Sequence, residues 1–340
     1  MSVSAEWPPV SVVVRSYHRQ ESMLALVRAL LAQDYPCFEV VVLEQSEWSV
    51  QARAPLDALA ASDPRLRVSY SKPLGVGGAR NAGWKIARFG IVLSIDDDDL
   101  PLGTDFIRGH AENYQDPQVV AVTGRHVYSP DERCGYRPRS RARRLCLRYN
   151  FFGYAHVFCR LDERVDSVHW VHGSNGSVRR DVIERVGGWD DHAVSHDEHA
   201  FCLPLQNQLG AGERLVFDPR MVLLRNKDVP GGAAVRWAGP RSTFRGWHRY
   251  FHGLVMRHRP LPSRLLYPVF PLACWFITAR WVWFDARSYG SIASRLLATL
   301  QVLALAPFWY LSELFTTRSA ASLAPGLPSH QLRDSQRGTG

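Results

Sequence analysis

Four short apolar runs at near-even spacing through the first third of the chain leave few folds open. Val10–Val14, Glu39–Leu43, Leu66–Tyr70 and Ile91–Ile95 are these runs; the first two read as buried strands and the other two as strands. Helical patterns lie between them. Glu21 to Ala32 sets Leu24, Val27 and Leu31 at helical spacing, Leu56–Ala61 supports a short helix, and Ala79 to Arg88 reads as a helix after a break at Gly75–Gly78. Strands alternating with helices imply an α/β fold, with a mostly parallel sheet and right-handed crossovers. Such sheets bind ligands at the carboxyl ends of their strands. The polar signals fall at those ends: Ser16–Tyr17, Glu44–Gln45 and Asp96–Asp99.

Further along, Trp170 to Val186 reads as strand, turn and helix, closed by Gly187–Gly188. A second helix should contain His199 to Leu209. The stretch Arg133 to Arg148 is basic and aperiodic. The last third changes character. Leu265 to Phe284 and Leu296 to Phe315 are apolar and aromatic, each about the length that crosses a bilayer. Pro268, Pro271 and Arg280 interrupt the first, and Pro307 the second. Their tryptophans and the nearby Arg257, Arg259 and Arg264 favour a membrane surface, with attachment in the interface ahead of a spanning hairpin. This divides the chain into an α/β region over 1–225, a helical apolar region over 226–315 and a disordered tail over 316–340.

The formal charge is +9, and arginine carries nearly all of it, since lysine occurs only at positions 72, 85 and 227. Guanidinium suits phosphate, so a nucleoside diphosphate, an anionic lipid or a nucleic acid is compatible. The six cysteines show no C-x-x-C spacing, which fits reduced thiols in a cytosolic compartment. Met1 to Pro9 carries no signal-peptide pattern.

Three motifs carry chemistry. Asp96-Asp97-Asp98-Asp99 closes a strand at the ligand edge. Adjacent carboxylates repel unless something positive joins them, and Mg²⁺ or Mn²⁺ is a natural solution. The bland alternative is an acidic turn in which Asp99 caps a helix. Gly77-Gly78-Ala79-Arg80-Asn81-Ala82-Gly83 is the second motif, a glycine turn before a helix that could cradle an anion, with Arg80 pairing a diphosphate. The third is Gly187-Gly188-Trp189-Asp190 followed by Asp197-Glu198, whose carboxylates either stand over a cleft or cap a helix.

In this order the pieces resemble the family 2 glycosyltransferases, which are inverting nucleotide-sugar transferases of the GT-A, Rossmann-like fold. The resemblance rests on "VSVVVRSYHR", "FEVVVLEQS", "GGARNAGWKIA", "IVLSIDDDDLP" and "HGSNGSVRRDVIERVGGWDD" before "FCLPL", and spans Val10 to Leu209. It implies that Ser16 and Tyr17 line the base site and that Glu44 stands where the family has a base-contacting aspartate. Arg80 would lie near the base and phosphates. Asp96, Asp97 and Asp98 would cover the D-x-D positions, with Asp98 as metal ligand and Asp96 touching ribose or metal. Glu198 would be the general base, with Asp197 the alternative. The implied donor is a nucleotide sugar, UDP- or dTDP-linked ahead of GDP-linked. The implied acceptor is a glycan or lipid-linked sugar of the cell envelope, reached from the cytoplasmic face of the membrane.

Two other readings stand beside this one. A nucleotidyltransferase could use the same carboxylate–metal cluster, but does not call for the late Gly-Gly-Trp-Asp and Asp-Glu pieces. A nucleic-acid-binding protein could use the basic stretch, but leaves the aspartates unexplained and shows no recognised module. Nucleic acid is therefore not expected as a partner.

Overall fold

The computed structural model describes residues 7–129, 147–149, 161–191, 196–225, 239–258, 265, 269–284 and 291–321. The chain forms two compact units. One comprises Met1–Arg236 with Tyr250–Pro268, the other Trp237–Arg249 with Val269–Gly340.

The first unit opens with β1 (Val10–Ser16), α1 (Gln20–Leu31), β2 (Phe38–Glu44), α2 (Val50–Ser62), β3 (Leu66–Tyr70), α3 (Gly75–Ile86) and β4 (Ile91–Asp96). β5 (Asp99–Pro101), α4 (Phe106–Glu112), β6 (Val119–Val127), β7 (Val165–Val168) and β8 (Asn175–Arg179) follow, then α5 (Arg180–Val186), α6 (Asp197–Gln206) and β9 (Arg214–Arg225). The described strands form one sheet in the order β3-β2-β1-β4-β8-β6-β9-β5, with β7 paired to β9.

The α/β class and the four apolar runs are as the sequence predicts, and β3, β2, β1 and β4 are parallel. The other half of the sheet is mixed, because β8 enters antiparallel to both β4 and β6. Alternation along each strand splits the core into two layers. Val10, Val12 and Val14 face one layer with Val40, Val42, Leu93 and the α1 residues Met23, Leu26, Val27 and Leu30. Val13, Val41 and Val92 face the other, beneath α5 and α6. These side chains are almost wholly buried, and each contributes about 1.5–3 kcal/mol of transfer free energy.

Several expectations change. α3 begins at Gly75, one turn earlier than the glycine break predicted. Gly77 and Gly78 therefore lie inside the helix, and no helix N-terminus stands beside Arg80. Packing explains why glycine sits there: a Cβ on Gly77 would run into the backbone carbonyl of Asp190. Gly187 does terminate α5, at φ 89°, with its N–H and that of Gly188 donating to the Ile183 carbonyl. Asp99 opens β5 instead of capping a helix. The basic stretch up to residue 146 and the tail from 322 lie outside the described residues.

The second unit holds α7 (Pro240–His248), α8 (Phe270–Phe284) and α9 (Ile292–Ala321). α7 is joined to α9 by an ion pair from Arg245 Nε to Glu313 Oε1 at 2.7 Å and by Phe244 against Trp309. α9 runs past residue 316, where the sequence reading began the tail. α8 has 15 residues, so it spans only about 22 Å at 1.5 Å per residue, shorter than the apolar run suggested. Only Ile292–Glu313, among the described residues, is long and apolar enough to cross a membrane.

Candidate active site

The sheet register sets the first layer of the site. Across the carboxyl edge, Ser16 is level with Glu44 and Arg15 with Asp96. Ser16 and Glu44 are 1% exposed. Glu44 accepts the Ser46 N–H at 2.8 Å through Oε1, while its Oε2 and the Ser16 Oγ are buried without a hydrogen-bond partner. Orphaned buried oxygens carry a desolvation cost, and here they sit side by side at a ligand-binding edge. Tyr17 next to them is half exposed and packs on the His18 ring at 4.1 Å.

The aspartate tract turns sharply between β4 and β5 and is matched by arginines. Arg15 Nη2 meets Asp96 Oδ1 at 2.8 Å, and Arg19 Nη1 bridges Asp97 Oδ1 and Asp98 Oδ2, both at 2.9 Å. Arg225 holds both oxygens of fully buried Asp99 at 3.1 and 3.2 Å. Repulsion within the tract is thus offset by the protein's own guanidinium groups, which the sequence argument had not anticipated. Burial pushes Asp97 up to about 6 against the pull of Arg19, and Asp99 up to about 7 against Arg225. Burial acts on Asp96 in the same direction, but Arg15, Arg80 and Arg225 outweigh it and hold that carboxyl well below the usual range.

Asp96, Asp98 and Asp99 each place an oxygen within 4.8 Å of the others. Hard carboxylate oxygens so grouped suit Mg²⁺ or Mn²⁺. Asp96 and Asp98 are partly exposed, and among the described residues the arginine hydrogen bond to Asp96 goes to Oδ1. Asp99 is occupied on both oxygens and lies behind them. The donor set therefore fits a divalent cation held by Asp96 and Asp98.

The second layer comes from α3, α6 and the loop after α5. Arg80 is 3% exposed. It donates from Nε to Asp197 Oδ2 at 2.8 Å, from Nη1 to the Gly173 carbonyl, and approaches Asp96 at 3.6 Å. Arg80 thus links the aspartate tract to the Asp197–Glu198 pair, and its guanidinium is committed to protein groups instead of standing open to a diphosphate as the sequence predicts. Asn81 fastens the same helix to the late glycine loop. It donates to the Trp189 carbonyl at 2.7 Å and to Asp191 Oδ1 at 2.6 Å, and accepts the Trp189 N–H at 2.9 Å. Trp189 stacks on Phe201 of α6 at 4.4 Å. His196, just before the carboxylate pair, is held at φ 58°, a left-handed conformation that costs a non-glycine residue energy and clusters at functional sites.

The two carboxylates of the pair differ. Asp197 is 5% exposed and bound to Arg80. Burial and the charge of Glu198 raise it, against the pull of Arg80. Glu198 is half-buried, and among the described residues no hydrogen bond reaches its carboxylate. It lines a small cavity with Ser94, His172, Gly173 and Trp189. Its stem packs where a side chain on Gly173 would stand.

The structure thus gathers Ser16, Tyr17, Glu44, Asp96, Asp97 and Asp98 at one edge and brings Arg80, Asp197 and Glu198 to it. Sequence reasoning missed Arg15, Arg19 and Arg225, gave Asn81 no role within its motif, and offered Asp99 only as a helix cap. The "VRSYHR" segment did offer a signal, two arginines at the end of the strand beside the acidic one.

Known proteins share this architecture. The family model described as Glycosyl transferase family 2 matches residues 11–187, just over half the chain. A glucosyl-dolichyl phosphate glucuronosyltransferase from Haloferax volcanii is 27% identical over 263 residues, covering 71% of this chain and 76% of that protein. Among solved structures, the mannosyltransferase PcManGT from Pyrobaculum calidifontis in complex with GDP-Man and Mn²⁺ superposes with a TM-score of 0.56 at 21% identity, over 94% of this chain and 87% of that one. TarS 1-349 from S. aureus in complex with UDP-GlcNAc gives 0.54 at 14% identity, over 92% of each chain. With a family match of this extent laid over a sheet edge that carries the expected carboxylates, this chain belongs to glycosyl transferase family 2 and has the GT-A fold.

Proposed function

We propose that this glycosyltransferase moves a sugar from a nucleoside diphosphate donor to a hydroxyl acceptor by a single inverting displacement. The observation that carries the reading is the grouping of Asp96 and Asp98 one arginine away from the Asp197–Glu198 pair, in which no hydrogen bond reaches the Glu198 carboxylate among the described residues. The unpaired oxygens of Ser16 and Glu44 would receive the base, because a carboxylate accepts the ring N–H of uracil or thymine. Guanine also offers such donors, so the preference for UDP or dTDP rests on the family resemblance and not on this contact. The half-exposed Tyr17 ring would stack beside it.

Asp96 and Asp98 would hold a divalent cation, which stabilises the leaving diphosphate. Arg15 and Arg19 stand beside the same carboxylates and would add positive charge where the leaving group develops its own. Glu198 would take the proton of the attacking hydroxyl, and Asp197, fixed by Arg80, would keep it in place. The name of the Haloferax relative contains glucosyl-dolichyl phosphate, which supports a lipid-linked or cell-envelope glycan acceptor. The unpaired thiols of Cys37, Cys202 and Cys274 fit a reducing compartment, in keeping with a catalytic unit on the cytoplasmic face.

The test is a panel of nucleotide sugars with full-length protein, Mg²⁺ or Mn²⁺, and a chelator control. Metal-dependent release of nucleoside diphosphate is expected, with inversion read from the anomeric proton coupling of the product. Release of pyrophosphate would overturn the reading in favour of nucleotidyl transfer.

A further inference from the structure

The helical unit carries apolar surface that neither the fold nor the transferase site uses. On α9, Ala298, Val302, Ala306, Trp309 and Glu313 are buried and recur every three to four residues, so they form one packed face. The adjoining arc holds Leu296, Leu297, Leu300, Leu303, Phe308 and Leu311, each between 46% and 70% exposed. α8 repeats the arrangement, with Cys274, Thr278 and Val282 buried and Leu272, Phe276 and Trp283 exposed. A helix apolar on both its packed and its open side does not belong in water.

The charges identify what covers it. Among the described side chains of this unit the only acid is Glu313, which is buried against Arg245. The exposed ions Arg241, Arg249 and Arg280 are all positive. Arg280 lies on the same face of α8 as Phe276 and Trp283, where its long stem can lie along apolar surface and lift the guanidinium to a phosphate. A second protein copy would bring the same positive charges against these, whereas an anionic headgroup layer complements them.

Packing decides how the surface meets lipid. Ile292–Glu313 has the length and mean hydropathy, 1.4, of a spanning helix. Yet its packed side binds α7 through Arg245–Glu313, Phe244–Trp309 and His248–Tyr310. α7 is amphipathic, burying Phe244 and Trp247 and exposing Arg241 and Arg245. A spanning α9 would carry with it α8, which packs along it, and would draw the exposed Arg280 of α8 toward the hydrocarbon, while α8 is itself too short to span beside it. We infer that α8 and α9 lie in the plane of an anionic bilayer surface, their exposed apolar arcs among the acyl chains and their arginines among the headgroups.

The test uses full-length protein purified in mild detergent, with detergent removed in the presence of vesicles. Flotation with phosphatidylcholine–phosphatidylglycerol vesicles is expected, weaker with phosphatidylcholine alone, and lost in a carbonate wash. Leu297→Glu and Phe308→Glu, at positions 70% and 68% exposed, should each lower vesicle partitioning by roughly tenfold or more. Their thermal midpoint and nucleoside diphosphate binding should stay unchanged, which separates this outcome from failure of the transferase reading. Retention after carbonate with the C-terminal tail shielded from added protease would overturn in-plane seating in favour of a span. A detergent-free, vesicle-indifferent dimer would overturn it in favour of a second copy.

Discussion

At the scale of single residues, Asp98 and Glu198 bear on rate and Asp197 on both rate and stability. Asp98→Ala is expected to lower turnover by roughly a hundredfold or more with an unchanged melting curve, since Asp98 is partly exposed. Glu198→Gln should cut turnover by roughly a hundredfold to ten-thousandfold while nucleoside diphosphate still binds by calorimetry. Asp197→Ala should instead cost about 3 kcal/mol of stability in denaturant titration, because it leaves the buried Arg80 without its hydrogen-bonded carboxylate partner. A Glu198→Gln enzyme with full activity would remove it from the proton transfer. Arg19 makes a further prediction. It occupies Asp97 and Asp98, so a cation must compete with it. Arg19→Gln should tighten Mn²⁺ binding without nucleotide, read from the free-ion paramagnetic resonance signal, by about fivefold, the worth of one ion pair of about 1 kcal/mol.

Between elements, the junction of α3 with the loop after α5 deserves the closest test. Gly77 passes the Asp190 backbone, and Asn81 ties Trp189 and Asp191. Backbone cannot step aside as a side chain can, so Gly77→Ala should lower stability by about 1–3 kcal/mol. It should also reduce turnover, since Trp189 positions α6 through Phe201. These pieces show what a sequence discloses. Asp96 and Asp98 are legible because acidic residues at a strand end break an apolar pattern, whereas Glu198 is singled out by the family resemblance, its pair reading alone as a helix cap or the rim of a cleft. The arginine partners are not legible, since pairing Arg225 with Asp99 joins positions 126 residues apart and depends on β5 and β9 being neighbours. A three-residue strand such as β5 leaves no period to read. The glycine motif was visible but its purpose was not: glycines for anion binding and glycines for close packing look alike until the facing backbone is in view.

For the whole molecule, the division of the chain matters more than its length. The catalytic unit takes back Tyr250–Pro268 after the chain has left it for α7. Tyr250 is 1% exposed and sits against His196 and His199, beside the carboxylate pair. Asn207 donates to the His258 carbonyl at 2.6 Å. A chain cut at 225, the boundary that composition suggested, should therefore melt lower than the full chain and lose turnover. Tyr250→Ala in the full chain should reproduce part of this loss, at about 3 kcal/mol or more.

That returning segment also sets an order of events on the ribosome. Synthesis runs from the N-terminus, and domains ordinarily close as they emerge. Here the catalytic unit cannot close when its last strand, β9, appears, because Tyr250 is still inside the exit tunnel. By the time it emerges, α7 has already been made. The first helix of the second unit is therefore in the open before the enzyme is finished. Nor can one genetic crossover exchange either unit for another: a replacement helical unit would have to be spliced in on both sides of the segment that completes the active site.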